Sequence, residues 1–257
     1  MAEVLVHRDG SLVTVLLNRP ARRNAMTLAM WRQVGQAFTA LAADRSVRGI
    51  VLTGAGANFS VGADVTEFEA VRGNAAAATD YERAVDACAD AIAAAPQPVV
   101  AALDGYCLGG GCHMALAADF RFAAPAASIG IPSARLSIIY GVRSTQRLMA
   151  LVGLVAAKRI LYGGEHMAGE DALRIGLVDH IAEDPAEAAR EQLDRMMLNA
   201  PLSIAGAKAI LSGLAMGPGA LDLAAAERLI DAAADSADYV EGRRAFAERR
   251  APQFKSE

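Results

Sequence analysis

The chain is short of aromatic residues, cysteines and net charge, and each shortage removes a class of function. Aromatic residues are 5% of the 257 positions, with one tryptophan, and the formal charge is −4. No basic, aromatic-rich stretch of the kind that stacks on nucleic acid is present, and the charge offers no general attraction to a polyanion or an anionic lipid surface. The three cysteines, Cys88, Cys107 and Cys112, are odd in number and lack metal-ligand spacing. Reduced thiols in a cytoplasmic protein are expected, and no metal. Long apolar runs are missing too. Hydrophobic residues are 54% of the chain, but mostly alanine. The longest weakly polar stretch, 87–103, is broken by Asp90, Pro96, Gln97 and Pro98 and falls short of the roughly 20 residues a spanning helix requires. No basic segment followed by an apolar core precedes the strand pattern at residues 2–6, so no secretory leader and no membrane partner is expected.

What the chain does contain is two glycine-rich loops, each following an apolar strand. Pro98-Val99-Val100-Ala101-Ala102-Leu103 reads as a buried strand, and Met114-Ala115-Leu116-Ala117-Ala118 as the body of a helix. Between them stands Asp104-Gly105-Tyr106-Cys107-Leu108-Gly109-Gly110-Gly111-Cys112-His113. Glycines there let the backbone take angles closed to other residues and let a ligand come close to bare N–H groups, while a helix N-terminus adds positive potential. Taken alone, the glycine triplet reads as a tight strand-to-helix turn. The second loop, Gly54-Ala55-Gly56-Ala57-Asn58-Phe59-Ser60-Val61-Gly62-Ala63-Asp64, changes that weighting because it too follows a strand, Gly49-Ile50-Val51-Leu52-Thr53. Neither loop suits a nucleotide: Phe59 replaces the third glycine of G-x-G-x-x-G, and neither carries the Lys-Ser/Thr of a P-loop. Two N–H groups converging on one oxygen form an oxyanion hole, which favours a thioester or ester carbonyl as it becomes an enolate or alkoxide.

Elsewhere Leu12-Val13-Thr14-Val15-Leu16-Leu17 reads as a strand, and Thr27 opens a helix whose Leu28, Trp31, Val34, Phe38 and Leu41 hold helical spacing, a core stripe. Residues 71–95 read as one Ala-rich helical stretch, 120–123 as a strand, 144–161 as a helix and 177–181 as a strand after a Gly176 helix stop. From Pro185 onward helices are predicted at 186–198, 202–214, 221–234 and 238–250, the last opened by an Asp238/Glu241 capping pair.

An ordered series of motifs carries a resemblance. Asn18-Arg19-Pro20-Ala21-Arg22-Arg23-Asn24-Ala25-Met26, Phe59-Ser60-Val61-Gly62-Ala63-Asp64, Gly105-Tyr106-Cys107-Leu108-Gly109-Gly110-Gly111-Cys112, Thr145-Gln146-Arg147-Leu148, the segment from Ala168 to Val178 and Glu241-Gly242-Arg243-Arg244-Ala245-Phe246 together resemble the crotonase family, the enoyl-CoA hydratase/isomerase superfamily, nearly end to end. The resemblance implies an α/β fold: a crotonase-like spiral of strand-strand-helix repeats over 1–195, then a C-terminal all-helical trimerisation or lid region over 196–257. It implies a homotrimer or a dimer of trimers and an acyl-CoA thioester substrate, with coenzyme A entering as part of the substrate and no permanently bound cofactor. It also implies that the amides of Ala63 and Gly110 are the oxyanion donors, that residues 71–95 lid the acyl pocket, and that coenzyme A meets Arg22, Ala25, Ala63, Asp64, Val65, Phe246 and Arg249.

The chain departs from the family where proton chemistry is done. Family hydratases use two glutamates, one after Gly-Gly-Gly-Cys and one after the proline of a later segment; His113 and Ser133 stand in those slots. Paired carboxylates let one group activate water while the other delivers a proton to carbon. Their replacement points away from simple hydration and toward isomerisation, decarboxylation or carbon–carbon cleavage through an enolate, with His113 handling protons and Tyr140 either donating one to the carbanion or packing its ring. Decarboxylation needs no base, since loss of carbon dioxide itself forms the enolate. Arg135 and Arg143 read as surface ion pairs, though one turned inward would clamp a substrate carboxylate in bidentate fashion. Asp64, Glu67 and Glu69 read as turn carboxylates. The alternative is an acyl-CoA-binding protein without turnover.

Overall fold

The apolar hexapeptide of the second strand is buried along nearly its whole length, the pattern expected of a strand covered on both faces. The computed structural model describes residues 2–255. In chain order the elements are β1 (Val4–Asp9), β2 (Leu12–Leu17), α1 (Leu28–Ala43), β3 (Gly49–Gly54), α2 (Phe68–Arg72), α3 (Ala75–Ala94), β4 (Val99–Leu103), β5 (Tyr106–Leu108), α4 (Gly110–Ala117), β6 (Phe120–Ala123), β7 (Ser128–Gly130), α5 (Val142–Gly163), β8 (His166–Ala168), α6 (Gly169–Arg174), β9 (His180–Ile181), α7 (Pro185–Met197), α8 (Pro201–Ala215), α9 (Leu223–Ala234) and α10 (Ala237–Glu248).

Two sheets share these strands. The larger has the order β1-β2-β3-β4-β6-β9, the smaller β5-β7-β8. β1 and β2 form an antiparallel hairpin; every later neighbour in the larger sheet is parallel. Consecutive strands alternate between sheets: β4 lies in the larger and β5 in the smaller, followed by α4; β6 and β7 repeat this, followed by α5. Two isolated parallel bridges, Met26 with Ala63 and Ser60 with Cys107, extend the smaller layer back toward the segments after β2 and β3. The strand-strand-helix spiral is therefore written in the hydrogen bonding, although no repeat is visible in the residues.

The main core lies between the sheets and α1, α3 and α4, and contains Trp31, Phe38, Phe59 and Met114. On the opposite face of the larger sheet, Ala189 and Leu193 of α7 pack on Leu12, Val51, Val100 and Phe122. That helix belongs with the core, and the helical region proper begins at α8. Lys208 of α8 is tied to the core through Asp119 Oδ2 at 2.7 Å and the Gln97 carbonyl at 3.0 Å.

Several sequence expectations are corrected. The stretch 71–95 is two helices, since Asn74 caps a new one by accepting a bond from the Ala77 N–H at 2.9 Å. The helix over 144–161 is broken at Gly153 (φ 73°). The strand at 177–181 shrinks to two residues because the Leu177 and Val178 amides bond back to the Ala172 carbonyl. The last helix is capped by Ser236, which accepts from the Tyr239 N–H at 3.0 Å. Asp238 and Glu241 instead accept bonds from the Lys255 and Gln253 amides and hold the C-terminal segment.

Candidate active site

The two glycine loops meet where the smaller layer passes from the β3 segment to the β5 segment. In the Met26–Ala63 bridge the Met26 amide donates to the Gly62 carbonyl (2.8 Å) and the Asp64 amide to the Met26 carbonyl (2.9 Å). Such a pairing turns the intervening Ala63 N–H to the other side of the segment. The Gly110 N–H is among the first amides of α4, which have no partner within a helix. Gly109, at φ +50°, makes the turn into that helix, and Gly62 sits at φ +88°. A Cβ at Gly62 would lie 2.6 Å from the Leu108 carbonyl oxygen and 2.9 Å from the Gly110 nitrogen; one at Gly110 would lie 2.9 Å from the Trp31 ring and 3.4 Å from the Ala63 nitrogen. The loops are packed backbone to backbone, and neither the Ala63 nor the Gly110 amide donates to a described residue.

Trp31 supports this cradle from α1. Its ring lies under Gly110, and its indole N–H donates to the Tyr81 hydroxyl at 2.9 Å. Sequence periodicity assigned Trp31 to the core, and it is fully buried. It also lines the cavity that Ala63 and Gly110 face, as do His113, Ser133, Tyr140, Ser144, Arg72 and Glu82. The five residues expected to do chemistry, Ala63, Gly110, His113, Ser133 and Tyr140, thus share one cavity.

His113 stands three residues after Gly110 on α4 and is 4% exposed. Its Nδ1 is 2.6 Å from the Ser144 hydroxyl. Its Nε2 is buried without a hydrogen-bond partner, with the nearest Asp86 oxygen 3.9 Å away. Burial, with the nearby positive charge of Arg147, pulls its pKa down to about 3. The imidazole is neutral at physiological pH. The Tyr140 ring meets it edge-on, centroids 5.9 Å apart. The Tyr140 hydroxyl is also buried without a partner, and burial pushes its pKa up. Ser133 lies on the single turn Pro132–Leu136.

The remaining expected contacts divide. Val65, 56% exposed, lines the cavity beside Ala63. Asp64 is turned to structure: it caps the turn Val65–Glu67 through Thr66, pairs with Arg19 at 3.0 Å, and is held below the usual carboxylate range chiefly by the Thr66 hydroxyl. The Ala25 carbonyl accepts a 2.6 Å bond from the same arginine. Arg22 is exposed on the turn Pro20–Arg22. Phe246, 88% exposed, lines a separate groove with Tyr239 and Phe254, and Arg249 ends α10 nearby. Glu67 accepts the Leu28 amide at the start of α1.

The two arginines after Ser133 stay at the surface. Arg143 pairs outward with Asp90 at 2.9 Å and Arg135 is exposed against Gly164, so neither lines the cavity. The guanidinium that does belongs to Arg72, the last residue of α2. It lies over the rings of Phe68 and Tyr81, 5.0 and 5.1 Å from their centroids, and pairs with Glu82 at 2.7 Å. Arg72, Tyr81, Glu82 and Ser144 were not singled out from sequence; only the fold brings α2, α3 and α5 to one cavity. All three cysteines are buried and free. Among the described residues no cluster of His, Cys, Asp or Glu could hold a metal, and no single helix is long and apolar enough to cross a membrane.

The sequence profile of the Enoyl-CoA hydratase/isomerase family matches residues 7–257. The chain belongs to that family. It is 34% identical over 260 residues to the 2,3-dehydroadipyl-CoA hydratase of Escherichia coli, covering 99% of each chain. It is 32% identical over 205 residues to the short-chain-enoyl-CoA hydratase of Clostridium acetobutylicum, covering 78% of this chain and 77% of that one. Among solved structures, an enoyl-CoA hydratase/carnithine racemase from Magnetospirillum magneticum superposes with a TM-score of 0.91 at 34% identity, covering 100% of this chain and 97% of that one. The α/β spiral expected from the motifs is thus the family's fold.

Proposed function

We propose that this member of the family holds the thioester carbonyl of an acyl-CoA between the Ala63 and Gly110 amides, stabilises its enolate, and uses it for isomerisation, decarboxylation or carbon–carbon cleavage rather than hydration. The observation that carries the reading is the pair of unbonded amides facing one cavity with His113 and Tyr140. Preorganised donors of this kind act on charge as it develops and are worth most where water is excluded.

The names of the relatives speak for hydration; the residues of the cavity support the other branch. Hydration needs one group to activate water and a second to protonate carbon. Here the carboxylate lining the cavity is Glu82, already paired with Arg72, and a histidine with a pKa of about 3 is a weak base. Decarboxylation asks for no base, only for a held enolate and a proton for its carbon. The unpartnered Tyr140 hydroxyl is a neutral donor suited to that step, and His113 is the candidate relay.

The same reading brings the nucleotide end of coenzyme A to the loop of Arg22, Ala25, Asp64 and Val65 and to Phe246 and Arg249 of the C-terminal tail, in a trimer or dimer of trimers in the cytoplasm. A second reading, an acyl-CoA-binding protein without turnover, draws on one observation, the depressed basicity of His113. Incubating pooled enoyl-, hydroxyacyl- and carboxyacyl-CoA thioesters with wild type and His113→Ala separates these, read by mass spectrometry after chromatography that resolves double-bond isomers and by equilibrium dialysis for binding. Loss of carbon dioxide, chain cleavage or double-bond migration supports the enolate reading; gain of water alone refutes the preference against hydration; binding without change favours the second reading.

A further inference from the structure

Arg72 is the cation of the acyl cavity, and its placement is built rather than incidental. It is the last residue of α2, where Gly73 and the Asn74 cap separate α2 from α3. Its guanidinium lies over Phe68 of its own helix and Tyr81 of the next, at 5.0 and 5.1 Å. Those rings meet edge to face, centroids 6.0 Å apart, so the plane of the guanidinium is fixed from two sides. Its side chain is 17% exposed. Tyr81, in turn, accepts the hydrogen bond from Trp31, whose ring lies under Gly110. A continuous path of contacts therefore runs from the oxyanion cradle through Trp31 and Tyr81 to Arg72, placing the cation beyond the aromatic wall from the thioester.

The pairing of Arg72 is incomplete. One nitrogen, Nη1, meets one oxygen of Glu82 at 2.7 Å. No bond from its Nε or Nη2 reaches a described residue. Guanidinium binds carboxylate best through two parallel N–H donors, and a single contact leaves that capacity unused. Glu82 is 43% exposed along its side chain, and burial, partly offset by Arg72, raises its pKa. It is a partner that can rotate to water or take up a proton when a second carboxylate arrives.

Resting on the acyl-CoA reading above, we infer that the cavity selects thioesters whose acyl chain ends in a carboxylate, with Arg72 as the residue that binds that terminus and Glu82 as its placeholder in the free protein. This gives the site the polar substrate that the sequence suggested through Arg135 and Arg143, using a residue on the lid instead. The substrate class is a dicarboxylic acid monothioester of coenzyme A.

Binding of unreactive saturated thioesters tests this without relying on turnover. Calorimetry is run with butyryl-, pentanoyl- and hexanoyl-CoA against succinyl-, glutaryl- and adipyl-CoA, pairs matched in length that differ in a terminal methyl or carboxylate. At the length that reaches Arg72, the carboxylate-ended thioester binds roughly tenfold or more tightly than its methyl-ended match, the worth of a charge-assisted bond. Arg72→Gln abolishes the difference. Glu82→Gln tightens the carboxylate-ended ligand and leaves the methyl-ended one within about twofold, the opposite sign to Arg72→Gln; a purely structural ion pair would make both variants weaken both ligands alike. The inference is overturned if the methyl-ended thioester binds as well or better at every length, or if Glu82→Gln weakens both classes. Failure of all six to bind would instead remove the acyl-CoA reading on which it rests.

Discussion

The cavity has a backbone wall and a side-chain wall, and they are held in place by different means. On the backbone wall the Ala63 and Gly110 amides are set by hydrogen-bonded bridges from Ser60 to Cys107 and from Met26 to Ala63 and by two glycines at positive φ. The donors are backbone groups, so what matters is the path of the chain and, at Gly110, the absence of a Cβ that would meet the Trp31 ring. On the side-chain wall His113, Tyr140, Ser133 and Ser144 come from α4, α5 and the turn between them, and two of their polar atoms, His113 Nε2 and the Tyr140 hydroxyl, have no partner. Both walls keep hydrogen-bonding capacity for a ligand, but on the first it belongs to backbone amides and on the second to side chains. On the proposed reading, the path of the chain sets where a carbonyl binds, while the reaction that follows depends on a few exchangeable side chains.

Disturbing the backbone wall carries the largest penalty. In Gly62→Ala the new methyl falls 2.6 Å from the Leu108 oxygen and 2.9 Å from the Gly110 nitrogen, at φ +88°. The loops must separate, which moves one donor off the oxyanion. Turnover of the substrate identified by mass spectrometry is expected to fall by about 100-fold or more, and denaturant unfolding to show a loss of about 1–3 kcal/mol from backbone strain and overpacking. Gly206→Ala on α8, where a Cβ meets nothing within 4 Å, is the control. It is expected to keep full activity and to gain up to about 1 kcal/mol from helix propensity. Equal losses in both would show that the tight approach at Gly62 has no special role.

The same division explains what could be read before the structure. The glycine loops, the strands before them and the family motifs are local signals, and they pointed to Ala63 and Gly110, both of which line the cavity. Arg72, Tyr81, Glu82 and Ser144 carry no such mark: an arginine before Gly73 reads as surface charge, and Trp31 reads as one more apolar position in a helical stripe. Their place at the cavity comes from α3 packing on α1, α2 and α4 and from α4 packing on α5, long-range contacts without a spacing rule. Asp238 misled for the opposite reason. It sits in a sequence context that suggests a helix cap, but the Lys255 amide takes its carboxylate from across the C-terminal segment while the Ser236 hydroxyl caps the helix.

The side-chain wall has its own signature in pH. The His113 pKa is displaced from an ordinary 6.5 to about 3, so between those values the unfolded chain binds a proton that the folded chain refuses. Stability from this group is therefore complete above about pH 6.5 and is lost progressively as pH falls toward 3. Between pH 6.5 and 5 the wild type should lose roughly 2 kcal/mol more than His113→Gln, measured as the difference in unfolding free energy at each pH. Parallel curves for the two proteins would mean that His113 is freely protonated and able to act as a cation in the cavity.

Where the walls join, Tyr81→Phe removes the acceptor for the Trp31 indole. A buried donor left unpaired costs about 1–3 kcal/mol, read as a lowered denaturation midpoint. The effect on turnover is expected to be smaller than for Gly62→Ala, because the ring of Trp31 still supports Gly110.

Ser133→Ala is expected to change least. Its hydroxyl makes no hydrogen bond to a described residue, so unfolding should shift by no more than about 0.5 kcal/mol. Any change in turnover then reports contact with the substrate alone, and one neutral hydrogen bond supports no more than about a tenfold drop. A larger drop would make Ser133 a proton-handling group in its own right, and the side-chain wall would then hold two working positions, at 113 and 133, with different chemistry from a pair of carboxylates. A drop within that limit, set beside a larger one for His113→Ala, would leave proton transfer to His113 and Tyr140.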